Sequence, residues 1–194
     1  AISHINNINI NPCASLGILD RKQLQRLKES GLKRFHHNLE TSHSYFSEIC
    51  TTHSYEDRLS TIKLAKEVGL EVCCGGIFGL GESPTQRVEL AFTLKELDVE
   101  SIPLNILNQI KGTRSEKAPS LTPLETLRLI AMFRFVHPDK EIGVIGGHEA
   151  KMGDLQSFVL ISGASTILVG NYLTTQGRPA SDDIQMVKDL GLEI

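Results

Sequence analysis

Two adjacent thiols, Cys73 and Cys74, end an apolar run and lead into a backbone with few side chains: residues 72–82 read Val-Cys-Cys-Gly-Gly-Ile-Phe-Gly-Leu-Gly-Glu. Thiolates are the soft ligands that iron and zinc favour. Gly75, Gly76, Gly79 and Gly81 give up helix and strand propensity, as a chain does where a ligand or cluster must approach its backbone closely. The same stretch also fits a tight strand-to-helix turn beside two small core cysteines. A second polar group, His36-His37-Asn38-Leu39-Glu40-Thr41-Ser42, sets an amide and a carboxylate two residues apart. Such a pair can hold ribose hydroxyls or a urea-like group, or can cap a strand end. Neighbours on a strand point to opposite faces, so His36 and His37 do not share one metal ion. Arg58 lies in the first turns of an expected helix, where it can pair with a ligand carboxylate or with a neighbouring acid.

These groups need a scaffold, and the hydrophobic pattern supplies one. Short apolar or β-branched runs at residues 7–13, 33–38, 70–74, 101–107, 141–145 and 166–169 alternate with helical patterns near 20–30, 55–68, 84–97, 122–136 and 150–162. This is the βα signature of a parallel sheet. Helix boundaries have chemical causes: Asp20 caps one helix and Gly31 stops it, Ser83 and Pro84 open another, and Thr122-Pro123 with Glu125 open a third that ends before Pro138. Residues 178–194 are expected to form a tail helix or cover. In a parallel barrel, chemistry gathers on the loops after the strands. Cys13 follows the first expected strand, residues 36–40 the second, Cys73 and Cys74 the third; Asn105 and Asn108 lie at the fourth and His148-Glu149 after the fifth. A complete (βα)8 barrel takes about 250 residues. Six expected strands in 194 residues therefore imply an α/β fold, an incomplete (βα)8 TIM-type barrel whose first two units are missing, with residues 1–194 as a single partial barrel domain.

Composition narrows the function classes. The chain is 40% apolar with a net charge of −3, and its Lys and Arg residues are scattered among acids, which argues against nucleic acid as a partner. Its apolar runs fall far short of the roughly 20 residues that span a bilayer, and no leader pattern is visible, so no membrane partner and a cytoplasmic location are expected. Cysteines at 13, 50, 73 and 74 lack a disulfide framework spacing and suit reduced thiols or metal ligands. Cys50 is expected to pack as a small apolar residue.

With these residues assembled, the chain resembles the biotin synthase family of radical S-adenosylmethionine enzymes, over what corresponds to the family's C-terminal two thirds. The likeness is carried by residues 35–42, by Ile49-Cys50-Thr51-Thr52-His53 and Arg58, by residues 72–82, by Ile102-Pro103-Leu104-Asn105-Ile106-Leu107, by Lys111-Gly112-Thr113 and by Tyr172-Leu173-Thr174-Thr175. The resemblance implies a barrel and a reaction that inserts sulfur into dethiobiotin. It also implies S-adenosylmethionine on a [4Fe–4S] cluster, whose cleavage gives a 5′-deoxyadenosyl radical, and an auxiliary iron–sulfur cluster, [2Fe–2S] or a variant, as the sulfur source.

Carried over by position, Asn38 and Asn105 correspond to substrate contacts. Glu40 corresponds to a ribose contact and Arg58 to a contact for the methionyl carboxylate; Gly75, Gly76 and Ile77 belong to the segment beside the adenine. Cys13 and Cys73 correspond to auxiliary-cluster ligands. The family also implies a flavodoxin- or ferredoxin-type electron donor and a homodimer. Two departures stand out. The Cys-x3-Cys-x2-Cys motif that holds the radical-generating cluster is not among these 194 residues, so the chain alone is expected to be inactive. The arginine of the auxiliary site aligns with Gly143, which leaves a place for Cys74 or a non-protein sulfide. A catalytically dead barrel fragment that binds a small molecule or a partner chain supplying the missing strands, or another sulfur-inserting or carbon-skeleton radical enzyme with the same barrel, are the competing expectations.

Overall fold

A computed structural model describes residues 2–6, 10–172 and 176–194. The elements run, in chain order, α1 (Ile2–Asn6), β1 (Cys13–Ala14), α2 (Arg21–Glu29), β2 (Arg34–His36), α3 (His43–Ile49), α4 (Tyr55–Glu67), β3 (Glu71–Cys73), β4 (Gly76–Phe78), α5 (Pro84–Glu96), β5 (Ser101–Ile106), α6 (Pro123–Val136), β6 (Glu141–Val144), α7 (His148–Met152), a 3-10 turn (Gly153–Leu155), α8 (Phe158–Ile161), β7 (Thr166–Ile167) and α9 (Ala180–Asp189). They pack as two compact units, Ala1–Gly76 with Glu82–Ile102, and Ile77–Gly81 with Pro103–Ile194; β4 and β5 contribute residues to both.

In the first unit β1, β2 and β3 lie side by side in parallel, and Cys73 of β3 pairs with Ser101 at the start of β5. One face of these strands carries Phe35 and Val72, both fully buried, against a core that includes Leu24, Ile62, Leu90 and Leu94. In the second unit β6 neighbours β5 and pairs in parallel with β7. Its core holds Leu104, Ile130, Phe133, Ile142 and Val144, with Phe78 packed edge-on to Phe133 at 5.4 Å.

Helix starts follow the expected chemistry. Asp20, Ser54, Ser83 and Thr122 each form a capping box, with Gln23, Asp57, Gln86 and Glu125 reaching back to the cap N–H; each such cap is worth about 1 kcal/mol. Other elements depart from the sequence pattern. The strand expected at 7–13 begins at Cys13; residues 7–9, like Leu173, Thr174 and Thr175, lie outside the described residues. Gly76-Ile77-Phe78 forms a short strand where only a glycine loop was expected, and α3 had no periodic signal or side-chain cap. The single helix expected at 150–162 breaks into α7, the 3-10 turn and α8, because Gly153 takes a φ of +49°. A tail helix does form, as α9.

Candidate functional site

The strand register determines what shares a face. Cys13 pairs with Arg34, Arg34 with Glu71, and His36 with Cys73. Partners in a parallel pair point the same way, and so do residues two apart along a strand, so all five side chains stand on one face, opposite Phe35 and Val72. Contacts between them agree with this. Arg34 Nη2 lies 2.9 Å from Glu71 Oε2, and His36 Nδ1 lies 3.3 Å from Cys73 Sγ. Burial lowers the His36 pKa and raises that of Cys13, the latter opposed by Arg34.

Just beyond β2 the chain builds a charged clamp. Arg58, on the second turn of α4, donates from Nε to His53 Nε2 at 2.8 Å and from Nη1 to the Asn38 carbonyl at 2.8 Å, with Glu40 Oε1 at 3.5 Å from Nη1. Its guanidinium lies 5.9 Å above the Phe46 ring. Nη2 has no hydrogen-bond partner among the described residues. Because His53 Nε2 accepts, its proton sits on Nδ1, facing Thr52 Oγ1 at 3.0 Å. Glu40 is held with φ at +70°, a left-handed conformation that costs a non-glycine residue on the order of 1 kcal/mol. Burial raises its carboxyl pKa, against the lowering effects of Arg58 and of Asn38, whose Nδ2 lies 3.5 Å from Oε2.

The glycine segment is tied to this clamp. Asn38 Oδ1 accepts the Gly75 N–H at 3.0 Å, and the Gly75 carbonyl accepts the N–H groups of Leu39 and Glu40 at 3.1 and 3.3 Å. Glycine is required at 76: a Cβ there would lie 2.5 Å from the Glu40 carbonyl oxygen and 2.9 Å from Leu90 Cδ2. Thus Asn38, Glu40, Arg58, Gly75 and Gly76 come together in the first unit.

Asn105 and Ile77 belong to the second unit, Ile77 within β4. Asn105 Oδ1 accepts the Gly146 N–H at 3.1 Å. His148, buried, is hydrogen-bonded to Gln156 Oε1 at 2.8 Å and to Tyr172 OH at 3.1 Å, while Glu149 accepts the Arg178 N–H.

Two cysteines depart from expectation. Cys74 does not join Cys73: alternation along the chain turns it into the core, fully buried, and desolvation pushes its thiol pKa up, which opposes the deprotonation that ligation requires. Cys50 is not apolar packing. It is half-exposed, with Sγ at 3.5 Å from His53 Nδ1 and 3.6 Å from Thr52 Oγ1, and its thiol is lowered chiefly by the Thr52 N–H.

The residues fit the groups that the resemblance implies, in part. A guanidinium with an open nitrogen beside a carboxylate suits the amino-acid and ribose ends of S-adenosylmethionine. Cys13 and Cys73 share a face, as ligands of one cluster must, whereas Cys74 does not. Among the described residues no three His, Cys, Asp or Glu side chains converge on a single metal ion.

Comparisons with known proteins bear on the family and the fold. Residues 1–94 match the radical SAM superfamily and residues 103–193 the Biotin and Thiamin Synthesis associated domain. The biotin synthase of Geotalea daltonii is 54% identical over 185 residues, 95% of this chain and 56% of that protein; the biotin synthase of Carboxydothermus hydrogenoformans is 52% identical over 187 residues, 96% of this chain and 58% of that protein. The chain therefore spans a little over half the length of these curated relatives. The crystal structure of methylornithine synthase (PylB) matches 99% of the chain with a TM-score of 0.83 at 19% identity, covering 61% of that protein. The FeFe-hydrogenase maturase HydG from Carboxydothermus hydrogenoformans matches 98% with a TM-score of 0.77 at 16%, covering 51%. The fold is thus that of an incomplete TIM-type barrel, and by its sequence the chain belongs to the biotin synthase family of radical S-adenosylmethionine proteins.

Proposed function

We propose that the protein to which this chain belongs is a biotin synthase, inserting sulfur into dethiobiotin, and that these residues supply its cofactor clamp, substrate contacts and part of its auxiliary-cluster site. The observation that carries the reading is the Arg58 clamp: a guanidinium fixed by His53 and the Asn38 carbonyl, with Nη2 unpartnered among the described residues, beside the carboxylate of Glu40, whose backbone is left-handed. S-adenosylmethionine on its [4Fe–4S] cluster supplies, when bound, the 5′-deoxyadenosyl radical that abstracts hydrogen. This chain's own residues position and recognise. Arg58 binds the methionyl carboxylate, Glu40 accepts from the ribose hydroxyls, and Gly75, Gly76 and Ile77 leave room for the adenine. Asn38 and Asn105 hydrogen-bond to the substrate ring, and Cys13 and Cys73 ligate the auxiliary cluster. That cluster is [2Fe–2S] or a variant of it, since Gly143 offers no side-chain ligand. A flavodoxin- or ferredoxin-type donor, a homodimer and a cytoplasmic location belong to the same reading.

The test is a chimera in which these 194 residues replace the matching region of the Geotalea daltonii biotin synthase, reconstituted anaerobically with iron and sulfide. It should form biotin from dethiobiotin under reducing conditions. Arg58→Ala should raise the KM for S-adenosylmethionine by about tenfold or more, the loss of one charge-assisted hydrogen bond. Asn38→Ala should act on the KM for dethiobiotin. A folded, iron-loaded chimera that makes no biotin would refute the reading.

A further inference from the structure

The auxiliary cluster of the proposed reading lacks one side-chain ligand, because Gly143 supplies none and Cys74 points into the core. The register identifies the side chain that stands in its path. Cys13 on β1 and Cys73 on β3 flank β2, and the β2 residue level with Cys73 on their shared face is His36. Its Nδ1 lies 3.3 Å from Cys73 Sγ. Two ligands of one tetrahedral ion, bonded at about 2.0–2.1 Å through nitrogen and about 2.3 Å through sulfur, sit roughly 3.5 Å apart. The contact therefore has the spacing of two side chains that share a metal.

Cys13 is two strands away and two residues back, on the order of 10 Å from Cys73 between Cα atoms. A single ion on His36 and Cys73 does not reach it, whereas a multi-iron cluster lying across β2 does. Arg34, the other β2 side chain on this face, is paired to Glu71. We infer that His36 supplies a nitrogen ligand, through Nδ1, to the iron that Cys73 binds in the auxiliary cluster; the inference rests on that cluster reading. On binding, the Cys73 thiol gives its proton to solvent and the neutral imidazole donates the Nδ1 lone pair while its proton stays on Nε2, with no change in oxidation state. Imidazole in place of thiolate raises a cluster's potential, so His36 would ease reduction of the cluster from which sulfur leaves.

The experiment uses the chimera with the Geotalea daltonii biotin synthase, grown on 15N-histidine, reconstituted anaerobically with 57Fe and sulfide, reduced, and examined by pulsed EPR and Mössbauer spectroscopy. The expected result is a directly bound 15N coupling that is lost in His36→Ala, and a midpoint potential that shifts downward in His36→Cys. A cluster that needs Cys13 and Cys73 yet shows no bound nitrogen, with unchanged spectra in His36→Ala and in the folded His36→Asn variant, overturns the role of His36 and leaves the cluster reading standing. Absence of iron uptake, or uptake indifferent to Cys13→Ser and Cys73→Ser, overturns the cluster reading and the inference with it.

Discussion

In the first unit Asn38, just past β2, accepts the N–H of Gly75 after β3; in the second, Asn105 at the end of β5 accepts the N–H of Gly146 after β6. Each asparagine ties down the glycine that follows the neighbouring strand. The surroundings differ. Around Asn38 stand Arg58, Glu40 and His53, with Glu40 in a left-handed conformation; around Asn105 the tie is to glycine backbone, and the next residue, Gly147, is itself left-handed at φ +74°. A backbone tie can thus serve two ends. Where charge accompanies it, the loop is organised to meet a charged ligand; where glycine accompanies it, the loop stays neutral and open to close approach, which suits a hydrogen-bonding but uncharged group.

The largest test of this contrast is steric. A Cβ on Gly147 would lie 1.8 Å from the Ile106 carbonyl oxygen with φ already positive, whereas a Cβ on Gly76 would meet the Glu40 oxygen at 2.5 Å with an ordinary φ. Gly147→Ala should therefore cost more than about 3 kcal/mol of unfolding free energy, and Gly76→Ala less. Denaturant titration decides it, and equal losses would mean that the two loops are not held as described.

Acid should separate the regions next. His37, in the first unit, is buried with Nε2 unpartnered among the described residues, and its pKa is pushed down to about 4, first by burial and then by Arg58, His36 and His53. A histidine whose folded pKa lies below its unfolded value of about 6.5 binds fewer protons when folded. Stability is therefore complete above that value and falls as pH drops from about 6.5 to about 4, by at most about 3 kcal/mol. His37→Leu should flatten this slope in urea melts across that range; an unchanged slope would place the acid sensitivity elsewhere.

The elements behind these contrasts were unequally readable in the residues. Caps at Asp20, Ser83 and Thr122 work through bonds within four residues, so type and spacing revealed them. The third strand is legible as an apolar run that meets glycines. What escaped depends on distant partners. β4 exists because Gly76-Ile77-Phe78 finds hydrogen bonds far along the chain, such as the Phe78 carbonyl to the Leu107 N–H, and Gly76 itself bridges to Glu40. Cys50 looked apolar because nothing local announces that His53 turns its ring toward the sulfur. The Cys74 orientation follows from the same strand alternation that separates His36 from His37, and the adjacency of two thiols hides it. The left-handed Glu40 carries no signal at all, since glutamate is not a residue chosen for that conformation.

The two ties themselves give a smaller difference. Asn105→Ala should cost about 1 kcal/mol, through loss of its bond to the Gly146 N–H among others. Asn38→Ala should cost about 2 kcal/mol, because its Nδ2 also faces Glu40. Equal values in thermal melts would remove the charged neighbourhood as the distinguishing feature.

The smallest effect has the most diagnostic sign. Glu40 is unfavourable in the fold on two counts: its backbone is left-handed, and burial disfavours its charge more than Arg58 and Asn38 favour it, since the net shift of its pKa is upward. Asparagine tolerates the left-handed region and carries no charge to desolvate. Glu40→Asn should therefore raise stability by about 0.5 kcal/mol, while S-adenosylmethionine affinity falls about tenfold with the loss of the ribose acceptor. A residue kept for the fold would lose both on replacement; one held in strain for a ligand gains the first and loses the second. Calorimetric binding beside thermal melts of the same chimera separates these outcomes, and a parallel fall of stability and affinity would assign Glu40 to structure alone.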